Sequence, residues 1–200
     1  MICNGGNPAK QKQQPSNMQR NTYFGASQFA AAIGISPYTS RAEQWRLMTG
    51  RKTFDGNDAT RHGNECEPIA IATYEAHTGE IVIDRQRWYA LEEFGTHIDG
   101  RAGLTITEFK CPVAGLYDDV PAHYMAQIQG QMWIADMDEC HFVAWTPDEL
   151  RIWEVGYSLD YVQWMHPLLK EFWGLVQNDV EPARLKRKPK PIEVKTERIA

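Results

Sequence analysis

One short segment, residues 99–110, constrains the fold and chemistry of this chain more than any other. Most side chains in its second half are β-branched or aromatic, which predicts a strand over residues 103–110. Alternation along a strand places Glu108 and Lys110 on the same face. Asp99 comes just before a glycine-containing turn, so the chain can bring its carboxylate back beside that pair.

Two carboxylates with a lysine beside them suit a hard divalent cation, a scissile phosphate and a polarised water molecule. A Glu-x-Lys pair on a strand also occurs as a solvated ion pair, so this segment alone is consistent with both a metal site and a surface salt bridge. The segments on either side decide between the two interpretations.

The charges of the chain are divided unevenly along its length. The net charge is −5, but residues 1–52 carry seven basic side chains (Lys or Arg) and one acidic side chain. Residues 184–200 carry seven basic and two acidic side chains. The centre, residues 53–183, carries seven basic and 23 acidic side chains. Basic ends favour contact with phosphates, and central acids fit metal ligands together with a solvated exterior. A solubilising, disordered tail explains the basic C-terminus equally well.

Composition is sufficient for one compact domain. At 200 residues, 42% of them hydrophobic, the chain can bury a sizeable core, and it has no apolar run long enough to span a membrane. Residues 1–20 read as a disordered arm, residues 21–180 as one domain, and residues 181–200 as a basic tail. The polar N-terminus lacks the apolar core of a signal peptide, so we expect a cytoplasmic protein.

Hydrophobic periodicity predicts a small mixed sheet flanked by helices on both faces. Helices are expected over 26–33, 40–48, 57–77, 121–135 and 158–176, and strands over 80–84, 86–91, 96–99, 103–110, 140–145 and 150–157.

Four ordered motifs resemble those of the PD-(D/E)XK nucleases, and more narrowly the lambda exonuclease or YqaJ-type phage recombination nucleases. They span residues 20–135 and read Phe24-Gly-Ala-Ser-Gln-Phe, Arg61-His-Gly-Asn-Glu-Cys-Glu-Pro, Asp99-Gly100 followed by Glu108-Phe-Lys-Cys-Pro, and His123-Tyr-Met-Ala-Gln-Ile-Gln-Gly-Gln-Met-Trp. The resemblance implies a restriction-endonuclease-like core. It also implies that residues 21–180 form a nuclease domain.

The resemblance also assigns roles to individual residues. Asp99 and Glu108 are the best metal ligands, and the backbone carbonyl of Phe109 and the side chain of Glu67 complete the set. The ion is Mg²⁺, with Mn²⁺ as a substitute, and two ions are expected. Lys110 would have its proton affinity lowered by the cation and would orient the attacking water or stabilise charge on the phosphate.

Two choices within the motifs stay open at this point. Glu65 competes with Glu67, because residues two apart on a helix point in different directions; the glycine-to-glutamate spacing favours Glu67. Gln127 matches the family's helix glutamine, which holds a ligated carboxylate or the water. Gln129 and Gln131 fit equally well as polar residues packed against the sheet.

In lambda-type enzymes an Arg and a Ser near the N-terminus hold the terminal 5′-phosphate, and Arg20 and Ser27 occupy matching positions. Ser27 can also be a plain helix N-cap, and the two roles are compatible. The family usually has Ser-Pro or Thr-Pro before the catalytic Asp, whereas this chain has His97-Ile98. His97 either contacts the phosphate or is a buried strand residue, and we favour the second.

The resemblance implies a Mg²⁺-dependent double-strand DNA exonuclease that acts 5′ to 3′ and leaves 3′ single-stranded overhangs for recombination. It implies a phage or prophage enzyme in a bacterial cytoplasm, a homotrimeric ring around DNA ends and a single-strand annealing partner. The alternatives are an endonuclease or repair nuclease of the same fold, and a catalytically silent DNA-binding protein of that fold.

Overall fold

A computed structural model describes residues 23–200 of the chain. The predicted N-terminal arm and Arg20 lie outside the described residues, so the interpretation of both remains a prediction.

The described residues form five α-helices and nine strands. The strands are β1 (Phe24–Gly25), β2 (Val82–Ile83), β3 (Trp88–Leu91), β4 (Phe94–His97), β5 (Gly100–Ala102), β6 (Thr105–Lys110), β7 (Glu139–Trp145), β8 (Leu150–Gly156) and β9 (Thr196–Arg198). The helices are α1 (Phe29–Ala32, preceded by a 3₁₀ turn over Ala26–Gln28), α2 (Arg41–Met48), α3 (Asp58–Thr78), α4 (Ala122–Ala135) and α5 (Leu159–Gln177).

Most strands belong to one mixed, six-stranded sheet with the order β2-β5-β6-β7-β8-β9, and the other three form a smaller sheet with the order β1-β4-β3. In the large sheet only β6 and β7 are parallel, and α4 connects them. A parallel pair requires such a crossover, which covers one face of the sheet with the connecting helix. The crossover therefore brings α4 onto the face of β6 that carries Glu108.

Each face of the six-stranded sheet has its own hydrophobic core. On one face, Ile106 and Phe142 pack with residues of α1, α4 and α5. On the other, Phe109 and Val143 pack against Ala70, Ile71 and Tyr74 of α3. This arrangement confirms the predicted α/β class with helices on both faces of a mixed sheet.

Local sequence signals account for several helix ends. The Ser40 hydroxyl accepts a hydrogen bond from the Glu43 amide at the start of α2, as an N-cap serine does. Asn57 caps α3 in the same way, and Gly79 ends that helix in the left-handed conformation. Pro68 lies within α3, which nevertheless continues through it to Thr78.

The C-terminal residues follow the surface of the domain. Pro182 is buried, and β9 pairs with β8 at the edge of the large sheet. No helix in residues 23–200 is both long enough and apolar enough to cross a membrane.

Candidate active site

Asp99 lies between β4 and β5, beside the end of β6. The register of β5 and β6 pairs Gly100 with Thr107, which brings the preceding Asp99 alongside the following part of β6. The backbone amide of Phe109 donates a hydrogen bond to Asp99 Oδ2 at 2.9 Å. The short turn around Gly103, which has a positive φ of 60°, makes this return possible.

Glu108 is the most enclosed carboxylate of the group, with 1% of its surface exposed. Two amides of α4 hold it: Gln127 Nε2 donates to Oε1 at 2.6 Å, and Gln131 Nε2 donates to Oε2 at 2.7 Å. Lys110 Nζ also donates to Oε1. Hydrogen bonds to a charged acceptor are stronger than neutral ones, so Glu108 is fixed in one orientation.

Lys110 lies on the same face of β6 as Glu108, as the strand alternation predicts. Its ammonium group also lies 5.1 Å from the centre of the Tyr124 ring. Burial alone would lower the pKa of Lys110, but the charges of Glu108 and Asp99 raise it above its usual value. The lowering of its proton affinity by a bound cation remains a prediction.

The structure brings Glu67, and not Glu65, to this group. Burial and the negative charge of Glu108 raise the pKa of Glu67, whose Oε1 accepts a hydrogen bond of 3.4 Å from Gln86 Nε2. Glu65 is exposed on another side of α3.

Three carboxylates and one lysine therefore lie near one another, beside the C-terminal half of β6 and the middle of α3. Burial, followed by the charges of Glu108 and Glu67, raises the pKa of Asp99 well above its usual value, and Lys110 only partly offsets this. Hard oxygen donors with an excess of negative charge suit a divalent cation such as Mg²⁺. The residues that fit this ion are Asp99, Glu108 and Glu67.

Sequence reasoning gave no specific role to two amides that contact these carboxylates. Gln131 is fully buried on Glu108, and its Oε1 has no hydrogen-bond partner among the described residues. Its position four residues after Gln127 is a signal that could have found it, because residues four apart share a helix face. Gln86, on Glu67, had no such signal, because it lies in a turn.

Gln129 lies between these two glutamines but faces away from the site. Its amide donates to the Gly156 carbonyl and accepts from the Ser158 amide, both at 2.8 Å. Gln129 therefore connects α4 to the start of α5. Of Gln129 and Gln131, only Gln129 fits the interpretation of a polar residue used in packing.

Two interpretations near the proposed phosphate pocket are wrong. Ser27 is not a helix cap: Gly25 occupies that position, and the Gln28 side chain accepts from the Gly25 amide at 3.0 Å. His97 is not a buried strand residue, because it ends β4 with its side chain exposed and its ring 4.8 Å from that of Trp88. Exposure leaves both side chains accessible, and their contact with phosphate remains a prediction.

A second group of potential metal ligands lies on the α3 face of the sheet. One ligand atom each from Glu139, His141 and Glu154 falls within 4.8 Å of the others. His141 Nδ1 lies 2.8 Å from the Tyr74 hydroxyl. The group shares no residue with the carboxylates around Glu108, and in residues 23–200 it is the one group of three such side chains whose ligand atoms lie this close together.

The comparisons with known proteins agree with this geometry. The YqaJ-like viral recombinase domain family matches residues 17–138. A search of curated protein sequences found no match.

Solved structures show the same fold. The alkaline exonuclease LHK-Exo from Laribacter hongkongensis is 24% identical with a TM-score of 0.67, and LHK-Exo in complex with dAMP is 22% identical with a TM-score of 0.68. Each comparison covers 82% of this chain and 92% of the other. A phage-related exonuclease from Haemophilus somnus is 18% identical with a TM-score of 0.62, covering 81% and 95%. This chain belongs to the YqaJ-like viral recombinase domain family and has the fold of the alkaline exonucleases.

Proposed function

We propose that this protein is a Mg²⁺-dependent exonuclease that degrades double-stranded DNA from its ends in the 5′-to-3′ direction. The observation that carries the proposal is the cluster of Asp99, Glu108 and Glu67 around Lys110, on a fold shared with exonucleases. The family supports the reaction class, and the cluster supplies the groups that phosphodiester hydrolysis needs.

Asp99, Glu108, Glu67 and the Phe109 carbonyl are the proposed ligands. Bound Mg²⁺, with Mn²⁺ as a substitute and two ions as the expected number, would polarise the phosphate and lower the pKa of the attacking water.

Each side chain of the site has a proposed task. Lys110 orients the water or stabilises negative charge on the phosphate, since its ammonium group lies on the same face of β6 as Glu108 and donates a hydrogen bond to it. Gln127 and Gln131 hold the two oxygens of Glu108, so this ligand keeps its geometry during turnover. The Phe109 amide does the same for Asp99.

Recognition of the DNA end is assigned to the N-terminal elements. We propose that Arg20 and Ser27 bind the terminal 5′-phosphate and that His97 adds a weaker contact. The exposure of Ser27 supports this, because a phosphate can reach its hydroxyl.

The products and partners follow from the family. Degradation of one strand would release mononucleotides and leave a 3′ overhang for a single-strand annealing protein; the dAMP in a similar structure supports the mononucleotide product. A homotrimeric ring around DNA would keep the enzyme on its substrate.

The test uses linear duplexes labelled on either strand, with 5′-phosphate or 5′-hydroxyl ends, with and without Mg²⁺. We expect mononucleotide release from the 5′-phosphorylated strand only when Mg²⁺ is present, and no activity for Asp99→Asn. Cleavage of a covalently closed circle at a similar rate would instead indicate an endonuclease, and Mg²⁺-independent binding without any cleavage would indicate a silent DNA-binding protein.

A further inference from the structure

The charged segment that the active site does not use is residues 184–190, which we call the basic strap. Its cationic side chains are all exposed, and no ion pair in residues 23–200 involves any of them; they are Arg184, Lys186, Arg187, Lys188 and Lys190. By contrast, Arg46, Arg51, Lys52 and Lys170 each pair with an acid. The strap is therefore a concentrated positive charge that the protein itself does not neutralise.

The strap is attached to the domain on its N-terminal side. Just before it, Arg51 pairs with Asp179 at 2.7 Å, and Pro182 is buried. Within it, Leu185 packs on the end of α1 so closely that a Cβ atom at Gly34 would lie 2.5 Å from Leu185 Cδ1. These contacts fix where the basic side chains begin.

A second set of contacts fixes the chain on the C-terminal side of the strap. Val194 packs against the larger hydrophobic core, and the Thr196 hydroxyl donates to Asp119 Oδ1 at 2.7 Å. From Thr196 the chain continues as β9 on the edge of the large sheet. The strap is thus held at both ends, whereas a free tail would be held at one.

An aromatic row leads from the loop after Gly34, near the first attachment point, to Lys110. Tyr38, in the loop after Gly34, has its ring 5.3 Å from that of His123, which lies 4.1 Å from the Tyr124 ring. Tyr124 in turn packs beneath the Lys110 ammonium group. Asp119, the other attachment point, belongs to the loop that joins the Lys110 strand to α4.

We infer that the basic strap is a contact for the phosphate backbone of duplex DNA beside the active site. This inference rests on the proposed function, because it takes DNA as the substrate. Seven extended residues span at most about 25 Å. Duplex DNA carries one charge per ~1.7 Å of its axis, so several phosphates face a segment of this length. The contact is independent of base sequence, as an exonuclease on arbitrary ends requires.

The test compares two full-length variants, each of which loses four positive charges. The strap variant carries Lys186→Gln, Arg187→Gln, Lys188→Gln and Lys190→Gln. The control carries Lys52→Gln, Arg61→Gln, Arg87→Gln and Lys170→Gln, at cations that pair with acids outside residues 179–200 and so do not hold the strap. Binding of a labelled 30-base-pair duplex is measured by fluorescence anisotropy in EDTA over a range of salt concentrations, and thermal melts verify that both variants fold.

Removing one lysine or arginine from a phosphate reduces the slope of log K against log salt by about 0.9. We expect the slope of log K against log salt to be smaller in magnitude by about 2 or more for the strap variant than for the wild type. The strap variant should also bind at least about tenfold more weakly at 0.1 M salt, and the control should keep the wild-type slope. Equal slopes for wild type and strap variant, or equal losses in both variants, would overturn the inference. Cleavage assays of the same proteins separate the two proposals. If the wild type degrades DNA and the strap variant has the same salt slope as the wild type, only the strap inference is refuted. A wild type that binds DNA through the strap without degrading it refutes only the nuclease.

Discussion

Replacing Gln131 by methionine tests whether this buried amide serves the active site or only the core. The side chain is fully buried, and its Nε2 donates to Glu108 Oε2 at 2.7 Å while its Oε1 has no partner among the described residues. Methionine has a similar length and no hydrogen-bonding amide. The substitution therefore removes one satisfied donor and one unsatisfied acceptor together.

The two effects on stability oppose each other. A hydrogen bond to a charged group contributes about 1.5–3 kcal/mol, and a buried polar atom without a partner costs about 1–3 kcal/mol. We expect the free energy of unfolding to change by less than about 1 kcal/mol, which corresponds to roughly 2–4 °C in Tm for a chain of this size. Loss of a side chain that orients a metal ligand typically lowers activity about 10- to 100-fold, and we expect that loss here.

Gln129→Met is the matched control on the same helix. This side chain is equally buried, but both ends of its amide are in use, on the Gly156 carbonyl and the Ser158 amide. Its replacement removes two hydrogen bonds to partly exposed backbone groups, each worth about 0.5–1.5 kcal/mol, so we expect a loss of about 1–3 kcal/mol. Because Gln129 does not contact Glu108, the rate per folded molecule should stay at the wild-type value.

Urea unfolding gives the stability of both variants, and single-turnover degradation of a linear duplex gives the rate per folded molecule. We expect opposite outcomes: Gln131→Met is stable and slow, and Gln129→Met is unstable and fast. A Gln131→Met protein with full activity would refute the role of Gln131 in positioning Glu108.

Three further predictions concern Asp99, Lys110 and Gly130. Burial and the charge of Glu108 raise the pKa of Asp99, so the contribution of this carboxyl group to stability is present at low pH and is lost as pH rises through its folded-state pKa. Asparagine stays neutral at every pH, so Asp99→Asn should raise Tm in EDTA by a margin that grows with pH. The same substitution should abolish activity. Lys110→Ala should abolish turnover but largely spare DNA binding by anisotropy, and an equal loss of both would count against its assigned role. A Cβ at Gly130 would lie 2.6 Å from the Phe29 ring, so Gly130→Ala should lower the free energy of unfolding by about 1–3 kcal/mol in urea melts without altering the site.

Local signals in the sequence were sufficient for most of the fold. Ser40, Asn57 and Ser158 stand at the predicted starts of three helices and cap them, because an N-cap acts within one turn of chain. Strand alternation likewise placed Glu108 and Lys110 together. The pairing of β4 with β1 and β3 in a separate small sheet had no such local signal, since strand partners are selected by long-range packing.

The candidate site was predictable where the motif residues themselves meet. Asp99 accepts a hydrogen bond from the Phe109 amide and Lys110 donates one to Glu108, so these motif residues meet as their spacing implied, while their roles and that of Glu67 remain predictions. Gln131 was not separated from Gln129 by pattern alone, because both are buried polar residues on one helix and only the three-dimensional packing shows which of them reaches Glu108. The exposure of His97 was equally hidden, since it depends on where β4 ends.

Binding of Mn²⁺, measured by isothermal titration calorimetry on the full chain, tests the central claim most directly because the chain offers two groups of ligands. We predict that Glu108→Gln weakens binding at least about tenfold, whereas His141→Gln, in the group on the α3 face, leaves it unchanged. Binding that survives Glu108→Gln and disappears in His141→Gln would contradict the assignment of the metal centre to Asp99, Glu108 and Glu67.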